Sequence, residues 1–587
     1  MIGITLNRLL PATEWMKVYQ RKTFSGDLAA GIITAILLIP QAMAYSALAG
    51  LPPEIGLYAS IAPPILYALF GSSRTLAVGP VAVASLMVAY ALSTIAVQGT
   101  AEYLASAIIL SLMIGLCFLV IAALRLGFLT EFLSHPVMAG FTSAAAIMIA
   151  FSQLTPFAGF DQRLLFTDFL SSNFISDIGA RLNGITLSLG AASITLLYLA
   201  RKFLGTLLAS IPFLAPLAVG LSKTGPLLVL ILMTSIVIIF DLDQTNAVQV
   251  IGIIPEGIPS LQVPGFDFAV IQQLGPSALL ITLISYVESV AIAKVLASKR
   301  RQKLDVNQEA WGLGFANLGS GFTGGSPVCG GFSRSVVNFS AGANTQVAAI
   351  ITAGIIGLTL AFFTPLFYYV PKTVLAAIIL VAILDLVDVK GFIKNLTYDK
   401  ADGLSEGVTF IAVLFLGIEK GLTIGILLSL GLHFWRSSRP HIAIVGQVGD
   451  TQHFRNILRH KVKTYPHLLA LRIDESLFFA NASYLENFVL NEVAANSEIT
   501  DVLFICSAIN AIDGSALHTL EMLHDELRDA NVELHFAEVK GPVMDRLAES
   551  HFFKNREDDT VFLSTYDAFK HLSSKGNPLL NDPEWSI

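Results

Sequence analysis

The sequence predicts a polytopic α-helical membrane protein that ends in a small α/β domain. Three observations carry this. The 587 residues are 54% hydrophobic and only 13% charged, about half the charge of an average soluble chain, and the mean hydropathy is +0.69. Apolar runs of about membrane-spanning length recur along the first three quarters of the chain. Charged residues thin out before about Arg436 and thicken after it, which places a domain boundary there.

The N-terminus lacks a signal-peptide shape. Lys17, Arg21 and Lys22 precede a long apolar run from Leu28 with no clear cleavage site, so the first apolar segment reads as a retained helix. Spans are expected near 28–48, 55–70, 76–93, 103–124, 135–156, 184–200, 224–241, 275–297, 306–322, 328–341, 345–364, 371–387, 404–418 and 420–436. The stretch 203–221 is also apolar and reads as an interfacial helix or an extra span. It is left out because counting it would invert everything after it and spoil the charge pattern.

That pattern is the positive-inside bias. Arg74, Arg125, Arg201, Lys202, Lys299, Arg300, Arg301, Lys303, Lys390, Lys394, Lys400, Arg436 and Arg439 all fall on the N-terminal side of fourteen spans. The opposite connections are poorer: 242–274 has no Lys or Arg, and 157–183 has only Arg163 and Arg181. Both termini and the soluble domain are therefore expected on the cytoplasmic side of a cell (inner) membrane. The expected boundaries are an N-terminal segment 1–27, a membrane domain 28–436 with repeats at about 28–241 and 275–436, a soluble domain 440–573 and a tail 574–587.

Two spans are interrupted. TLAVGPVAVASLMV, Thr75 to Val88, begins β-like, meets Gly79 and Pro80, and only then reads as helix. GGSPVCGGFSRSVVN, Gly324 to Asn338, does the same before Ser333-Arg334-Ser335. They are the third and tenth spans, hence the third of each set of seven. Broken segments at matching positions in two halves point to a transporter built from repeats. Because seven is odd, the second half enters from the other side and the repeats are inverted. Broken backbone is tolerated at membrane depth only where protein or a water-filled cavity satisfies it. A half-helix starting there aims free N–H groups and a positive dipole end into the cavity. Two such ends make an anion site, to which Arg334 adds a full charge and Ser333 and Ser335 add hydroxyls.

Glu288 lies in the eighth span, where a carboxylate costs about 2.5–3.5 kcal/mol on insertion scales, so it should face the interior. It could pair with Arg334, carry a proton that offsets an entering anion's charge, or simply make a polar contact between helices. Lys294, nearer the cytoplasmic end, is expected to snorkel. Gln41 and Tyr45, spaced i, i+4 in the first span beside Pro40, share a helix face and offer an amide and a phenol to an oxyanion or to a neighbouring helix. His135 reads as a capping or packing residue at a span's start. Cys117, Cys329 and Cys506 show no metal spacing and no disulfide framework. The membrane part shows no nucleotide P-loop, metal-ligand cluster or nucleophile triad, so no enzyme activity, cofactor or nucleic-acid partner is expected.

The tail alternates strands (468–473, 501–506, 532–539) with helices (482–495, 515–529, 542–550), an α/β pattern. The segments DLAAGIITAILLIPQAMAYSALAGLPPEIGLYAS, SSRTLAVGPVAVASLMV, NQEAWGLGFANLGSGFTGGSPVCGGFSRSVVN and ICSAINAIDGSALHTLEML, spread over nearly the whole chain, resemble the sulfate permease family of anion transporters with a C-terminal STAS domain. The resemblance implies two inverted seven-span repeats, a core domain moving against a gate domain, and dimerisation through the STAS domain and the adjoining membrane edge. It implies that the anion binds between the third and tenth half-helices. Gln41 and Tyr45 match first-span substrate contacts, Val81, Ala82 and Val83 one half-helix end, and Ser333, Arg334 and Ser335 the other. Glu288 matches a carboxylate tied to cation coupling. One departure stands out. Where related STAS domains carry a phosphorylatable Ser or Thr after an aspartate, this chain has Asp513-Gly514-Ser515. Ser507 or Ser515 would have to substitute, or Ser515 caps its helix.

The leading expectation is alternating-access sulfate import coupled to H⁺ by a homodimer. The alternatives are Na⁺-coupled bicarbonate, dicarboxylate or chloride transport, an uncoupled anion channel, and a nucleobase carrier, the last disfavoured by the buried arginine.

Overall fold

The structure, a computed structural model, describes residues 10–17, 19–160, 182–210, 222–262, 265, 267–550, 553, 561–574 and 578–581. Arg163, Arg181, residues 211–221 of the apolar 203–221 stretch and most of the tail after 574 lie outside them. The chain divides into two compact units, Met1–Ser429 and Leu430–Ile587.

The first unit is helical. A short helix α1 (Ala12–Lys17) precedes α2 (Arg21–Leu48), the first span, which continues through Pro40. The second span, expected as one helix, is two: α3 (Pro53–Tyr58) and α4 (Ala62–Phe70). Pro63 and Pro64 lack the N–H groups that would carry the ladder across 59–61, and both fit the first turn of a new helix. The third span is a two-residue strand β1 (Val78–Gly79) followed by α5 (Ala82–Ser93). Then come α6 (Ala101–Ala123), α7 (His135–Ala158), α8 (Gly184–Ala209) and α9 (Gly225–Ile239). Residues 203–209, expected in a separate element, continue α8 through a π-turn at Ala200–Leu204.

The second half repeats the sequence of elements. It has α10 (Phe268–Lys299), α11 (Val306–Phe322), the strand β2 (Cys329–Gly330) with α12 (Phe332–Ser340), α13 (Val347–Phe362) and α14 (Lys372–Ile383). A helix the sequence reading missed, α15 (Val389–Tyr398), carries Lys390 and Lys394, charges that break the apolar run. The last two spans are α16 (Lys400–Leu416) and α17 (Ile418–Ser437). By length and composition, Thr23–Leu48, α6, α7, α8 and α10 can each cross a membrane alone; shorter or broken segments make up the others.

Contacts between connections sort the spans by side. Ile251 N–H donates to Val370 O and Lys372 N–H to Gln249 O, at 3.0 and 2.9 Å, joining the connections after spans seven and eleven. Asn183 Nδ2 donates to Asn246 O at 2.7 Å, and Gln262 N–H to Phe322 O at 2.8 Å, adding the fifth connection and the end of the ninth span. On the other side, Gly127 N–H donates to Asn307 Oδ1 at 2.9 Å and Ser72 Oγ to Asp305 O at 3.2 Å, joining the connections after spans two, four and eight. Odd connections meet odd and even meet even, as fourteen alternating spans require.

The second unit is a mixed sheet flanked by helices. Its strands are β3 (Ile442–Gln447), β4 (Phe454–Asn456), β5 (Val462–Thr464), β6 (Leu468–Ile473), β7 (Asp501–Ile505), β8 (Glu533–Ala537), β9 (Val561–Phe562) and β10 (Leu579–Asn581). The order is β10-β5-β3-β6-β7-β8-β9, with β6 to β9 parallel. The helices are α18 (Ala482–Ala495), α19 (Gly514–Asp529), α20 (Gly541–Glu549) and α21 (Thr565–Ser573). Leu471, Phe504 and Phe536 fill the core. The strands outside β6 to β8 escaped the sequence reading; most are only two or three residues long.

Candidate anion site

The two interrupted spans meet. β1 and β2 pair antiparallel, Val78 opposite Gly330 and Gly79 opposite Cys329. From this junction α5 and α12 run apart. Their N-cap positions are Val81 and Gly331, and neither has a side-chain cap. The first-turn N–H groups of both helices therefore face the space between them, a focus of positive potential.

Side chains hold the broken backbone. Ser335 Oγ accepts Ala77 N–H at 2.9 Å. Asn338 Nδ2 donates to Thr75 O at 3.0 Å. Gln346 Nε2 donates to Ser73 O and Leu76 O at 2.7 and 3.0 Å. Asn317 pairs with both backbone groups of Val328, each at 2.9 Å. Ser289 Oγ accepts Gly330 N–H at 2.8 Å. Beneath β1, the Glu309 carboxylate accepts from Tyr67 Oη at 2.6 Å, from Ser72 Oγ at 2.7 Å and from the Ser72 and Ser73 N–H groups at 2.9 and 2.8 Å. Apart from Ser335, which the sequence analysis assigned to the anion, the sequence reading missed these positions. Their signal is a polar side chain inside an apolar run.

Arg334 is 2% exposed. Its Nη1 donates to Pro80 O at 3.1 Å and its Nε to Ala77 O at 3.4 Å, both in the other repeat. Its Nη2 is buried with no hydrogen-bond partner. A buried charged donor without an acceptor is costly.

The guanidinium lines a cavity of about 440 Å³ together with Gln41, Tyr45, Ser333 and Glu288. Val81, Ala82 and Val83 line it too, as does Arg201 on the α8 π-turn. At ~30 Å³ per water, the space holds a small oxyanion with part of its hydration shell. Gln41 and Tyr45 are buried, and neither side chain has a protein hydrogen-bond partner among the described residues.

The structure thus brings together every expected membrane-site residue except Ser335, whose fully buried hydroxyl is committed to Ala77. Glu288 shares the cavity but forms no ion pair with Arg334, so the pairing offered by the sequence is replaced by carbonyl contacts to the guanidinium. Lys294 is exposed. His135 is exposed too, and Ser134 caps α7 in its place.

In the second unit Asp513, not Ser515, caps α19. Its Oδ1 accepts Ala516 N–H at 2.8 Å and its Oδ2 accepts Phe479 N–H at 2.9 Å. Asp and Ser cap about equally well, so position decides: Asp513 stands where the chain turns into the helix and Ser515 is already inside it. Gly514 and Ser515 are exposed in the first turn, and Ser507 is half-buried after β7.

Known proteins share both the sequence and the architecture. A family model described as the Sulfate permease family matches residues 24–406, and one for the STAS domain matches residues 459–568. "Sulfate transporter 4.1, chloroplastic" of Arabidopsis thaliana is 36% identical over 96% of this chain and 82% of its own length. "Sulfate transporter 1.3" of the same plant is 34% identical, covering 98% and 88%. "High affinity sulfate transporter 2" of Stylosanthes hamata is 31% identical, covering 96% and 86%. Among solved structures, the murine Solute Carrier 26 family member A9 anion transporter superposes with a TM-score of 0.87 at 22% identity over 98% of this chain and 95% of that one. The transmembrane domain of a cyanobacterium bicarbonate transporter, BicA, gives 0.57 at 22%, covering 70% and 99%. At that identity the two likenesses speak for the fold alone: a multi-pass helical domain in both, the first likeness extending over the second unit as well.

Proposed function

The chain belongs to the sulfate permease family, a family of transporters and not of enzymes, and from that premise we propose that it imports sulfate with a co-transported proton by alternating access. The observation that carries the anion reading is the buried, unpartnered Arg334 Nη2 between two uncapped half-helix ends. A tetrahedral oxyanion accepts from Nη2, from the first-turn N–H groups at Val81–Val83 and Ser333, and from the Ser333 hydroxyl. Gln41 and Tyr45 reach it from α2. Each charge-assisted hydrogen bond is about twice as strong as a neutral one, so the site favours anions over neutral solutes. The relatives named as sulfate transporters support sulfate among the anions.

Glu288 supports the coupled reading because it faces the same cavity as Arg334 without being tied to it. A proton on its carboxyl removes a negative charge from beside an arriving dianion, and releasing that proton on the far side weakens the anion's hold. The protein works as a homodimer in the cell membrane, with its termini and STAS domain cytoplasmic. The Arg201 side of the cavity then faces the cytoplasm.

Labelled sulfate uptake into proteoliposomes, with and without an inward proton gradient, tests the reading. Gradient-stimulated uptake is expected in the wild type, abolished in Arg334→Ala and indifferent to the gradient in Glu288→Gln. Wild-type vesicles that move other anions but no sulfate would overturn the substrate assignment. Sulfate flux that ignores the proton gradient would overturn the coupling.

A further inference from the structure

A second cavity, of about 560 Å³, lies at the end of the first unit where the N-terminus and the even-numbered connections meet. Trp15 and Tyr19 come from the segment before the first span, Arg74 from the second connection, Arg300 from the eighth, and Asn344 and Thr345 from the turn after α12. None of its lining residues lines the transport cavity.

Its chemistry is donor-rich and positive. Arg74 is half-buried and makes no hydrogen bond or ion pair among the described residues. The Arg300 guanidinium lies 4.4 Å from the Phe339 ring centroid, and its hydrogen bonds among the described residues go to the carbonyls of Ala343 and Phe339, not to a carboxylate. The nearby acid, Asp27, is fully buried behind the wall. It already accepts from the Asn344 and Thr345 N–H groups at 2.6 and 3.0 Å, from Thr345 Oγ1 at 2.6 Å and from Tyr19 Oη at 3.2 Å. Trp15 is 7% exposed, and its indole Nε1 is buried with no partner. Two guanidinium groups around one recess repel each other in the absence of an anion, and Arg is the side chain whose planar fork matches phosphate.

We propose that this recess is a phosphate-binding site, separate from the transport path, that takes a phosphate-bearing ligand between Arg74 and Arg300 with side-chain amide contacts from Gln302 and from the Asn344 Nδ2 hydrogen that Gly342 O does not use. The ligand ties α1 to the turn after α12, the half-helix that carries Arg334. Occupancy therefore bears on the mobility of the anion site from the far end of that helix. The phosphate arrives either free in solution or on an anionic lipid headgroup at the membrane surface.

The test uses the full chain carrying Arg334→Ala, which silences the transport cavity, in phosphatidylcholine nanodiscs. One arm measures radiolabelled inorganic phosphate by equilibrium dialysis. The other adds phosphatidylglycerol and counts retained lipid by native mass spectrometry. Saturable binding of one equivalent is expected in at least one arm, weakened about tenfold or more by Arg74→Gln. Because no described contact depends on Arg74, that variant keeps the fold, whereas Arg300→Gln also loses two backbone contacts and serves as the second variant. Binding in the dialysis arm alone assigns a soluble phosphate, and in the lipid arm alone a headgroup. Absence of binding in both arms, or binding that Arg74→Gln leaves unchanged, overturns the proposal.

Discussion

Arg334 reaches across from one repeat to the break in the other, donating from Nη1 to the Pro80 carbonyl at 3.1 Å. The guanidinium is thus a bracket between the half-helices as well as a charge: Nη1 and Nε hold the β1–α5 junction, and only Nη2 is left over. Lysine offers one ammonium on a flexible stem and cannot serve both ends. Arg334→Lys is therefore expected to keep the positive charge yet lose at least tenfold in sulfate affinity. It should also lower the melting temperature, because two buried carbonyls lose their donor at about 1–3 kcal/mol each. Uptake kinetics and a thermal melt of the same preparation check both halves; wild-type kinetics in Arg334→Lys would mean that charge alone suffices.

Ser333 and Ser335 flank the arginine but do different work. Ser333 is exposed to the cavity, while Ser335 is fully buried on Ala77 N–H. Ser333→Ala should raise the KM for sulfate several-fold with an unchanged melting temperature. Ser335→Ala should leave a buried N–H unpaired, costing about 1–3 kcal/mol, and shift the melt more than the KM. A reversed pattern would return Ser335 to the anion.

The interrupted spans were legible because glycine, proline and a lone arginine are conspicuous inside apolar runs. Helix spacing put Gln41 and Tyr45 on one face, but it was the family resemblance, not the spacing, that set that face at the anion site, and Arg201 of the cavity lining was not foreseen. What sequence alone could not show is which hydroxyl faces the cavity and which braces the backbone. Ser333 and Ser335 differ by two positions, about 200° on a helix, and only the packing decides their roles. The bracing set of Ser289, Asn317, Asn338 and Gln346 was invisible for the same reason. Each is an ordinary polar residue until its partner, 11 to 273 positions away, is known. In the second unit, α18 to α20 show a helical apolar spacing and β6 to β8 read as short continuous apolar runs, whereas β9 is two residues long and leaves no run to read.

Asp474 closes β6 in the second unit. Its Oδ1 accepts from Arg472 Nε at 2.6 Å, and its Oδ2 lies 2.8 Å from His441 Nδ1. Partial burial pushes the carboxyl up, but the hydrogen bonds from Arg472 and His441 outweigh it and hold it below the ordinary aspartate value. A carboxyl depressed in the folded state stabilises it above the unfolded pKa, about 3.9, and the contribution is lost as pH falls through the folded value. Asp474→Asn should therefore speed amide exchange in Leu468–Ile473 at pH 7. The difference from wild type should narrow below about pH 4. A difference that persists unchanged at low pH would show that shape, not charge, is what the variant removes.

Gly331 is the N-cap of α12, with φ −98° and ψ 128°, a conformation open to any residue. Its constraint is space. A Cβ there would lie 2.9 Å from Arg334 Nη2 and 3.4 Å from Val81 Cγ2. Since a guanidinium can swing aside where backbone cannot, Gly331→Ala should fold normally but displace the one donor left for the anion. The expected result is a rise in the KM for sulfate of about tenfold, the worth of one charge-assisted hydrogen bond, with a smaller drop in melting temperature than in Arg334→Lys, because the planar guanidinium carries Nη1 and Nε with it as it shifts. Gly354→Ala, on α13 with nothing within 4 Å of its Cβ position, is the matched control and should change neither. If Gly331→Ala transports like the control, Nη2 is not the group that holds the anion, and the free first-turn N–H groups of α5 and α12 must hold it without the arginine.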